Sequence, residues 1–140
     1  MLTVGWCELA TLSELGIFNL PVKIDTGAKT SSIHAVNIET FQKEEELWVR
    51  FNTTDTSEAI KVIEAPVFDQ RDITSSNGIT ETRFVIKTSL QMANQSWSIE
   101  LTLADRSKMR FKMLLGRKAM DNIQVIPSKK CLLKNVNINR

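Results

Sequence analysis

The sequence has 140 residues, which is the length of one domain that can bury a sizeable core. Its 18 Lys and Arg residues nearly balance 16 Asp and Glu residues, so no strong positive charge indicates a nucleic-acid partner. The single histidine excludes a zinc helix of the H-E-x-x-H type, and the absence of any Gly-Lys pair excludes a P-loop.

Three features predict a cytoplasmic protein. Cys7 and Cys131 lie near opposite ends of the sequence and form no C-x-x-C motif, which favours a reducing compartment. The N-terminal residues contain neither a basic region nor a long apolar run, so no signal peptide is expected. No run of about 18 apolar residues occurs, so no membrane span is expected. We therefore expect a single cytoplasmic domain over residues 1–140, without a membrane partner.

Alternation of apolar and polar residues with a period of two predicts β-strands along most of the chain. The predicted strands are, in chain order, Val22–Asp25, Ile33–Phe41, Leu47–Phe51, Ile60–Phe68, Phe84–Leu90, Trp97–Leu103, Met109–Leu115 and Ile123–Ile126. A polar linker over Gln91–Gln95 predicts a hairpin between the fifth and sixth of them. Helical signals are limited to Thr11–Leu15 and Arg117–Asp121, and Asp69–Gly78 is predicted to be a loop. This pattern predicts an all-β domain, closed as a barrel or packed as a sandwich.

One segment contains residues typical of a catalytic site. The apolar strand that starts at Val22 brings Asp25 into a turn made of Thr26, Gly27 and Ala28. Gly27 lets the backbone approach whatever Asp25 faces, and a carboxylate held in this way can act as a general base. The tripeptide Asp-Thr-Gly is also a common turn, so the segment alone leaves a purely structural role open.

A second segment favours the catalytic interpretation. The apolar strand Met113–Leu115 ends at Gly116, and Arg117 opens a short helix. An Asp-Thr-Gly-Ala loop with a later apolar-apolar-Gly-Arg strand end resembles the retroviral-type aspartic proteases, in which these two elements pack together. The resemblance implies a retropepsin-like closed β-barrel with one short helix after this strand. It also implies that Leu115, Gly116 and Arg117 support the site.

The resemblance narrows to the family usually labelled RimB-type or ATP-dependent zinc protease. The segments that carry it are Gly5-Trp6, Leu15–Ile17, Lys23–Ala35, Arg71, Arg83, Trp97–Leu103, Asp105-Arg106, Met109 and Met113–Met120. Cys7-Glu8-Leu9 departs from the family pattern, in which Arg-Glu-Trp is expected. His34 and the two cysteines are too dispersed to support the word zinc, and no phosphate loop supports the word ATP. We therefore expect no metal and no cofactor.

The resemblance implies an aspartic-type peptidase with half an active site in each chain. Aspartic proteases activate water with two carboxylates that share one proton, and this chain has one Asp-Thr-Gly. We predict a symmetric homodimer in which Asp25, Thr26 and Gly27 of each subunit are catalytic. Phe41–Asp55 and Asp69–Gly78 are candidate flaps over the substrate. The alternatives are a non-catalytic peptide-binding dimer of the same fold and a zinc peptidase, as the family label says.

Basic residues indicate the class of substrate. Ala28 and Lys29 follow the catalytic turn directly, and Lys29, Arg71 and Arg83 are expected to converge on an acidic peptide or protein. Genes of the family are associated with glutamate-ligating enzymes, so the resemblance extends this expectation to oligoglutamate tails.

Other conspicuous residues are expected to be structural. His34 is predicted to pack or hydrogen-bond on its strand, and Met109 and Met113 to fill the core. Arg106 is predicted to form an ion pair in a turn with Asp105, an interaction that contributes little when exposed.

Overall fold

A computed structural model describes residues 1–74 and 77–133 as an all-β fold. Its strands are β1 (Leu2–Val4), β2 (Cys7–Leu12), β3 (Ile17–Ile24), β4 (Ser31–His34), β5 (Val36–Lys43), β6 (Glu46–Thr54), β7 (Ile60–Pro66), β8 (Asp69–Thr74), β9 (Thr80–Met92), β10 (Gln95–Ala104), β11 (Met113–Leu115) and β12 (Ile123–Val125). Helical structure in this part of the chain consists of two 3-10 turns, Ser13–Leu15 and Arg117–Ala119. No helix among the described residues is both long and apolar enough to span a membrane.

Six of the strands close a β-barrel. Around the barrel they follow the order β10, β4, β11, β3, β2 and β9, and β9 pairs again with β10. The predicted all-β closed barrel is therefore confirmed. The predicted hairpin is formed by β9 and β10, and its turn is shorter than expected because Met92 already pairs with Gln95. Ala93 makes that tight turn with a left-handed backbone, at φ 55°.

The core lies inside the barrel and follows the predicted alternation. Ile99 and Leu101 of β10 and Ile86 and Leu90 of β9 are at most 4% exposed. A separate antiparallel sheet of β5, β6 and β7 contributes Phe51 to the same apolar cluster. Burial of these side chains is the main force that holds the sheets together.

The predicted strand Ile33–Phe41 is interrupted. β4 ends at His34, and the Ala35 N–H donates to the Ala104 carbonyl at 2.9 Å. β5 then begins at Val36 and leaves the barrel for the three-stranded sheet. One continuous stretch of predicted strand therefore corresponds to two strands that belong to different sheets.

Two local predictions are wrong. The segment predicted as the loop Asp69–Gly78 contains strand β8, which pairs with β9 outside the closed barrel; residues 75 and 76 lie outside the described residues. Met109 is 52% exposed and not part of the core, because the chain turns there and β11 begins only at Met113. The short helix predicted after Met113–Leu115 is present as a 3-10 turn over Arg117–Ala119.

Candidate functional site

The end of β3 presents Asp25 in a tight turn. The Asp25 N–H donates to the carbonyl of Leu115 at 2.9 Å, because β11 runs parallel to β3 and Leu115 lies beside Ile24. The Asp25 carboxylate in turn accepts the N–H of Gly27 at its Oδ1, also at 2.9 Å. Aspartate favours such turns because its short side chain can bond to the backbone two residues later. The carboxylate is thus held in one orientation while it remains partly exposed.

Glycine is needed where β11 meets this loop. A Cβ atom on Gly116 would lie 2.5 Å from the carbonyl oxygen of Thr30. The backbone of Gly116 is extended, with φ −96°, so the requirement is steric and not conformational. A Cβ atom on Gly27 would lie 3.2 Å from the Oδ1 atom of Asp25, a milder contact. The loop after Asp25 therefore packs directly on the end of β11.

The 3-10 turn after Gly116 braces the same loop. The backbone N–H of Arg117 donates to the carbonyl of Ala28 at 2.8 Å, and that of Lys118 donates to the carbonyl of Lys29 at 3.0 Å. The guanidinium of Arg117 donates from Nη1 to the carbonyl of Thr26 at 3.0 Å. The structure thus places the predicted supporting residues in contact with the Asp25 loop. The acceptors of all three hydrogen bonds are backbone oxygens, so these bonds hold the loop in place independently of any ligand.

Arg106 packs near the Asp25 loop, although the sequence predicted it in a turn ion pair. Its guanidinium donates to the Phe111 carbonyl at 3.0 Å and to the Ser32 hydroxyl at 3.4 Å, and is partly buried. Burial lowers the pKa of Arg106, and the negative charge of Asp25 nearby opposes that lowering. The predicted pairing with Asp105 is wrong, because that carboxylate accepts bonds from Ser107. The sequence did offer one indication of this role, because Arg106 belongs to the segment Asp105-Arg106 that resembles the family.

His34 has a structural role, as predicted. It is 5% exposed, and its Nδ1 atom accepts the backbone N–H of Arg106 at 2.9 Å. Burial is the main cause that lowers the pKa of His34, and the positive charge of Lys112 adds to it. Within residues 1–74 and 77–133, no three His, Cys, Asp or Glu side chains come together as a metal site would require. The residues present therefore do not fit the zinc of the family label.

A groove runs beside the Asp25 loop along β10. Its larger part has a volume of about 440 Å³ and is lined by Thr30, Ser31, Lys87, Ser98, Ile99, Glu100, Lys118, Ala119 and Asp121. A second part of about 350 Å³ shares four of these residues, Ser98, Lys118, Ala119 and Asp121, and extends the groove toward Gln95. Glu100 is already paired with Arg71, at 2.7 Å. The remaining charged side chains of the larger part are Lys87, Lys118 and Asp121.

The predicted substrate-binding residues lie in different places. Ala28 and Lys29 belong to the Asp25 loop, next to the residues that line the groove. Arg71 and Arg83 lie opposite each other on β8 and β9. Arg71 pairs with Asp69 and with Glu100, and this pairing raises its pKa, with Glu100 as the largest cause. Arg71 therefore contacts the groove through the carboxylate of Glu100, whereas Arg83 pairs with Glu81 of its own strand, at 3.2 Å.

The two candidate flaps are hairpins. Phe41–Asp55 contains the turn between β5 and β6, where Glu44 and Glu45 both have positive φ. Asp69–Gly78 contains β8 and the connection to β9, apart from its undescribed residues 75 and 76. The homodimer concerns a second copy of the chain, and it stays a prediction.

Comparison with known proteins gives a family and a set of relatives. The family model described as RimB-like, retropepsin-like aspartic endopeptidase RimB, matches residues 3–135. A probable alpha-L-glutamate ligase of Desulfotalea psychrophila is 46% identical over 139 residues, which are 96% of this chain and 30% of the ligase. Another from Shewanella pealeana is 44% identical over 120 residues, 84% of this chain and 26% of the ligase. The chain thus spans less than a third of these relatives.

A solved structure shares the fold. It is the crystal structure of a Legionella pneumophila protein of unknown function, with a TM-score of 0.79 and 27% sequence identity. The match covers 94% of this chain and 98% of that one. Almost the whole barrel therefore recurs there.

These relatives correct the functional prediction. We predicted an aspartic-type peptidase, a hydrolase, with Asp25, Thr26 and Gly27 as its catalytic residues. The curated relatives, at 42–46% identity, are named probable alpha-L-glutamate ligases, so the peptidase prediction is wrong. The physical reason is that the loop around Asp25 is specified by its packing on Gly116 and Arg117. That packing identifies the fold without specifying a reaction.

Proposed function

Because the chain belongs to the RimB-like family, we propose that it binds glutamate-bearing peptide chains in support of alpha-L-glutamate ligation. The observation that carries this proposal is the extent of one match. Nearly all of this chain, 96%, aligns with 30% of a probable alpha-L-glutamate ligase. A domain that makes up a minor part of such a ligase could bind the glutamate-bearing peptide that the ligase extends.

The charges beside the Asp25 loop suit an acidic ligand. Lys87 and Lys118 line the groove, and Lys29 and Arg117 are exposed on the neighbouring loop and turn. Of the two carboxylates in the larger part of the groove, that of Glu100 is paired with Arg71. A glutamate side chain in the groove would therefore meet more cations than free anions, and its attraction would be screened by salt.

The groove has the length and direction that an extended peptide needs. Its lining follows β10 from Gln95 to Glu100, and six residues of a strand span roughly 20 Å. Alternate side chains of an extended peptide point the same way and repeat about every 7 Å. Alternate glutamates of one bound chain can therefore face the same cationic wall, where Lys87 and Lys118 lie.

Fluorescence anisotropy with labelled hexa-α-L-glutamate tests this proposal. We expect binding that weakens as salt is added, and no comparable binding of labelled hexaglutamine, which has the same length without charge. Lys118→Glu should raise the Kd for hexaglutamate at least about tenfold, since an attraction is replaced by a repulsion. Lys61→Glu makes the same charge change on β7, outside the groove, and should alter the Kd less than about twofold.

Two results would contradict the proposal. Equal affinity for hexaglutamine would mean that the groove does not recognise the carboxylates. Equal effects of the two charge reversals would mean that the peptide responds only to the net charge of the protein. In either case the domain would need another role beside the ligase.

A further inference from the structure

The fold brings the two cysteines together. The backbone N–H of Cys131 donates to the carbonyl oxygen of Cys7 at 2.9 Å, across 124 positions of sequence. With standard bond lengths, this hydrogen bond limits the Cα–Cα distance of the pair to at most about 6.8 Å. Disulfides are found at Cα separations of about 4.4–6.8 Å, so the backbone is already within the required range.

Both cysteines are free and partly exposed, so a small oxidant can reach them. Burial is the main cause that raises the pKa of the Cys7 thiol, and the negative charge of a Cys131 thiolate is the next. This influence of Cys131 agrees with the short backbone distance between the two cysteines.

The C-terminal segment Lys129–Leu133, which we call the strap, holds Cys131 in this position. The Lys129 carbonyl accepts the Trp6 N–H at 2.7 Å, and the buried carboxylate of Glu8 accepts the N–H groups of Leu132 and Leu133 at 2.8 and 3.1 Å. Cys131 has a left-handed backbone, φ 57°, which non-glycine residues adopt only when their surroundings fix it. The strap is thus seated before any covalent bond forms.

We propose that Cys7 and Cys131 are a modification site at which a low-molecular-weight disulfide, such as oxidised glutathione, forms an intrachain disulfide. This inference does not depend on the proposed function. Its effect is to tie the strap covalently to β2. Because Cys7 pairs with Lys23, near the end of β3 and two residues before Asp25, the disulfide would lie beside the strand end that leads into the site.

The chemistry balances without any other reactant. One cysteine thiolate attacks a sulfur of oxidised glutathione, which breaks its S–S bond and releases one glutathione thiolate. The second cysteine attacks the protein sulfur of the mixed disulfide and releases the other glutathione thiolate. The two protein thiols are oxidised, the glutathione disulfide is reduced, and the two thiol protons end on the two released glutathiones.

Mass spectrometry of the full chain after incubation with oxidised or reduced glutathione tests the proposal. The chain has two cysteines, so the result is simple to interpret. We expect a monomer that has lost about 2 Da and no longer reacts with iodoacetamide. Digestion without reductant should give one linked pair of peptides, containing Cys7 and Cys131. A stable glutathione adduct on each cysteine, a disulfide-linked dimer, or two alkylated thiols after oxidation would each overturn the proposal.

Thermal unfolding gives a second readout. The disulfide would close a loop of more than 120 residues, so the oxidised chain should melt roughly 5–15 °C above the reduced chain. Cys131→Ser, with Cys7→Ser as its matched partner, should show the same Tm in both buffers. An oxidised wild-type chain that melts no higher than the reduced one would overturn the claim that the tie fixes the strap. A Tm rise that persists in Cys131→Ser would overturn the assignment of the bond.

Discussion

Replacing Glu8 by alanine removes the anchor of the strap. The Glu8 side chain is 1% exposed, and its carboxylate accepts three backbone N–H groups, from Gly5, Leu132 and Leu133, at 2.8–3.1 Å. The three donors come from both ends of the described chain. No other single side chain described above joins segments so far apart in the sequence.

The magnitude of the loss follows from these bonds. A hydrogen bond to a charged group contributes about 1.5–3 kcal/mol, and a buried donor left without a partner costs a similar amount. Release of the strap would hydrate two of the three N–H groups at the cost of exposing the buried side chain of Leu133. We therefore expect Glu8→Ala to lower the free energy of unfolding by about 3–5 kcal/mol, less than the sum of three bonds.

Urea unfolding at neutral pH measures this loss, and hydrogen exchange at the amides of Leu132 and Leu133 locates it. Glu8→Gln keeps one acceptor oxygen and should lose about 1–3 kcal/mol. Glu46→Ala, an exposed glutamate at the start of β6, is the control and should stay within about 0.5 kcal/mol of wild type. A loss in Glu8→Ala as small as in this control would refute the reasoning, as would unchanged exchange at the two strap amides.

Gly116→Ala forces a Cβ atom to within 2.5 Å of the Thr30 carbonyl and should cost about 2–4 kcal/mol. Gly78→Ala meets no atom within 4 Å and costs only its left-handed backbone, about 1 kcal/mol, so equal urea midpoints for the two variants would argue against the steric account. The pKa of His34 is lower in the folded protein than its unfolded value of 6.5, so the unfolded chain binds the proton first. Stability should therefore fall as the pH drops through 6.5 and level off below the folded pKa, and His34→Gln should flatten urea midpoints measured from pH 7.5 to 5. A slope that persists in this variant would assign the effect to another group.

The parts of the fold that sequence predicts are those with a buried face. Ile99 and Leu101 alternate with polar residues because one side of β10 faces the core, and this strand was found with its hairpin partner. Strand β8 gives no such signal, since its residues alternate only between exposed and partly exposed. It is held partly by polar bonds to β9, such as those from Thr82 to Asp72 and between Thr74 and Thr80. Polar pairing of this kind leaves no period in hydrophobicity.

The candidate site, too, could be predicted from the sequence only in part. The position of Asp25 and its support by Gly116 follow from short motifs, because loop and strand end must pack without a side chain between them. Arg106 could not be placed, since its contact with Phe111 depends on how the chain turns after β10. The reaction could not be read from the Asp25 loop either, because nothing in its bonds to backbone oxygens distinguishes one chemistry from another.

The pairing of β1 with β12 has a consequence for how the chain folds. Leu2 lies beside Ile123 in a parallel pair, so this contact closes a loop of about 120 residues. The entropy of closing such a loop costs about 4 kcal/mol before any contact is gained. We therefore expect β1 to join late, after the β9–β10 hairpin and the closed barrel have shortened the path between the two strands. During synthesis, β1 emerges before β12, and in this interval its apolar face lacks the native partner.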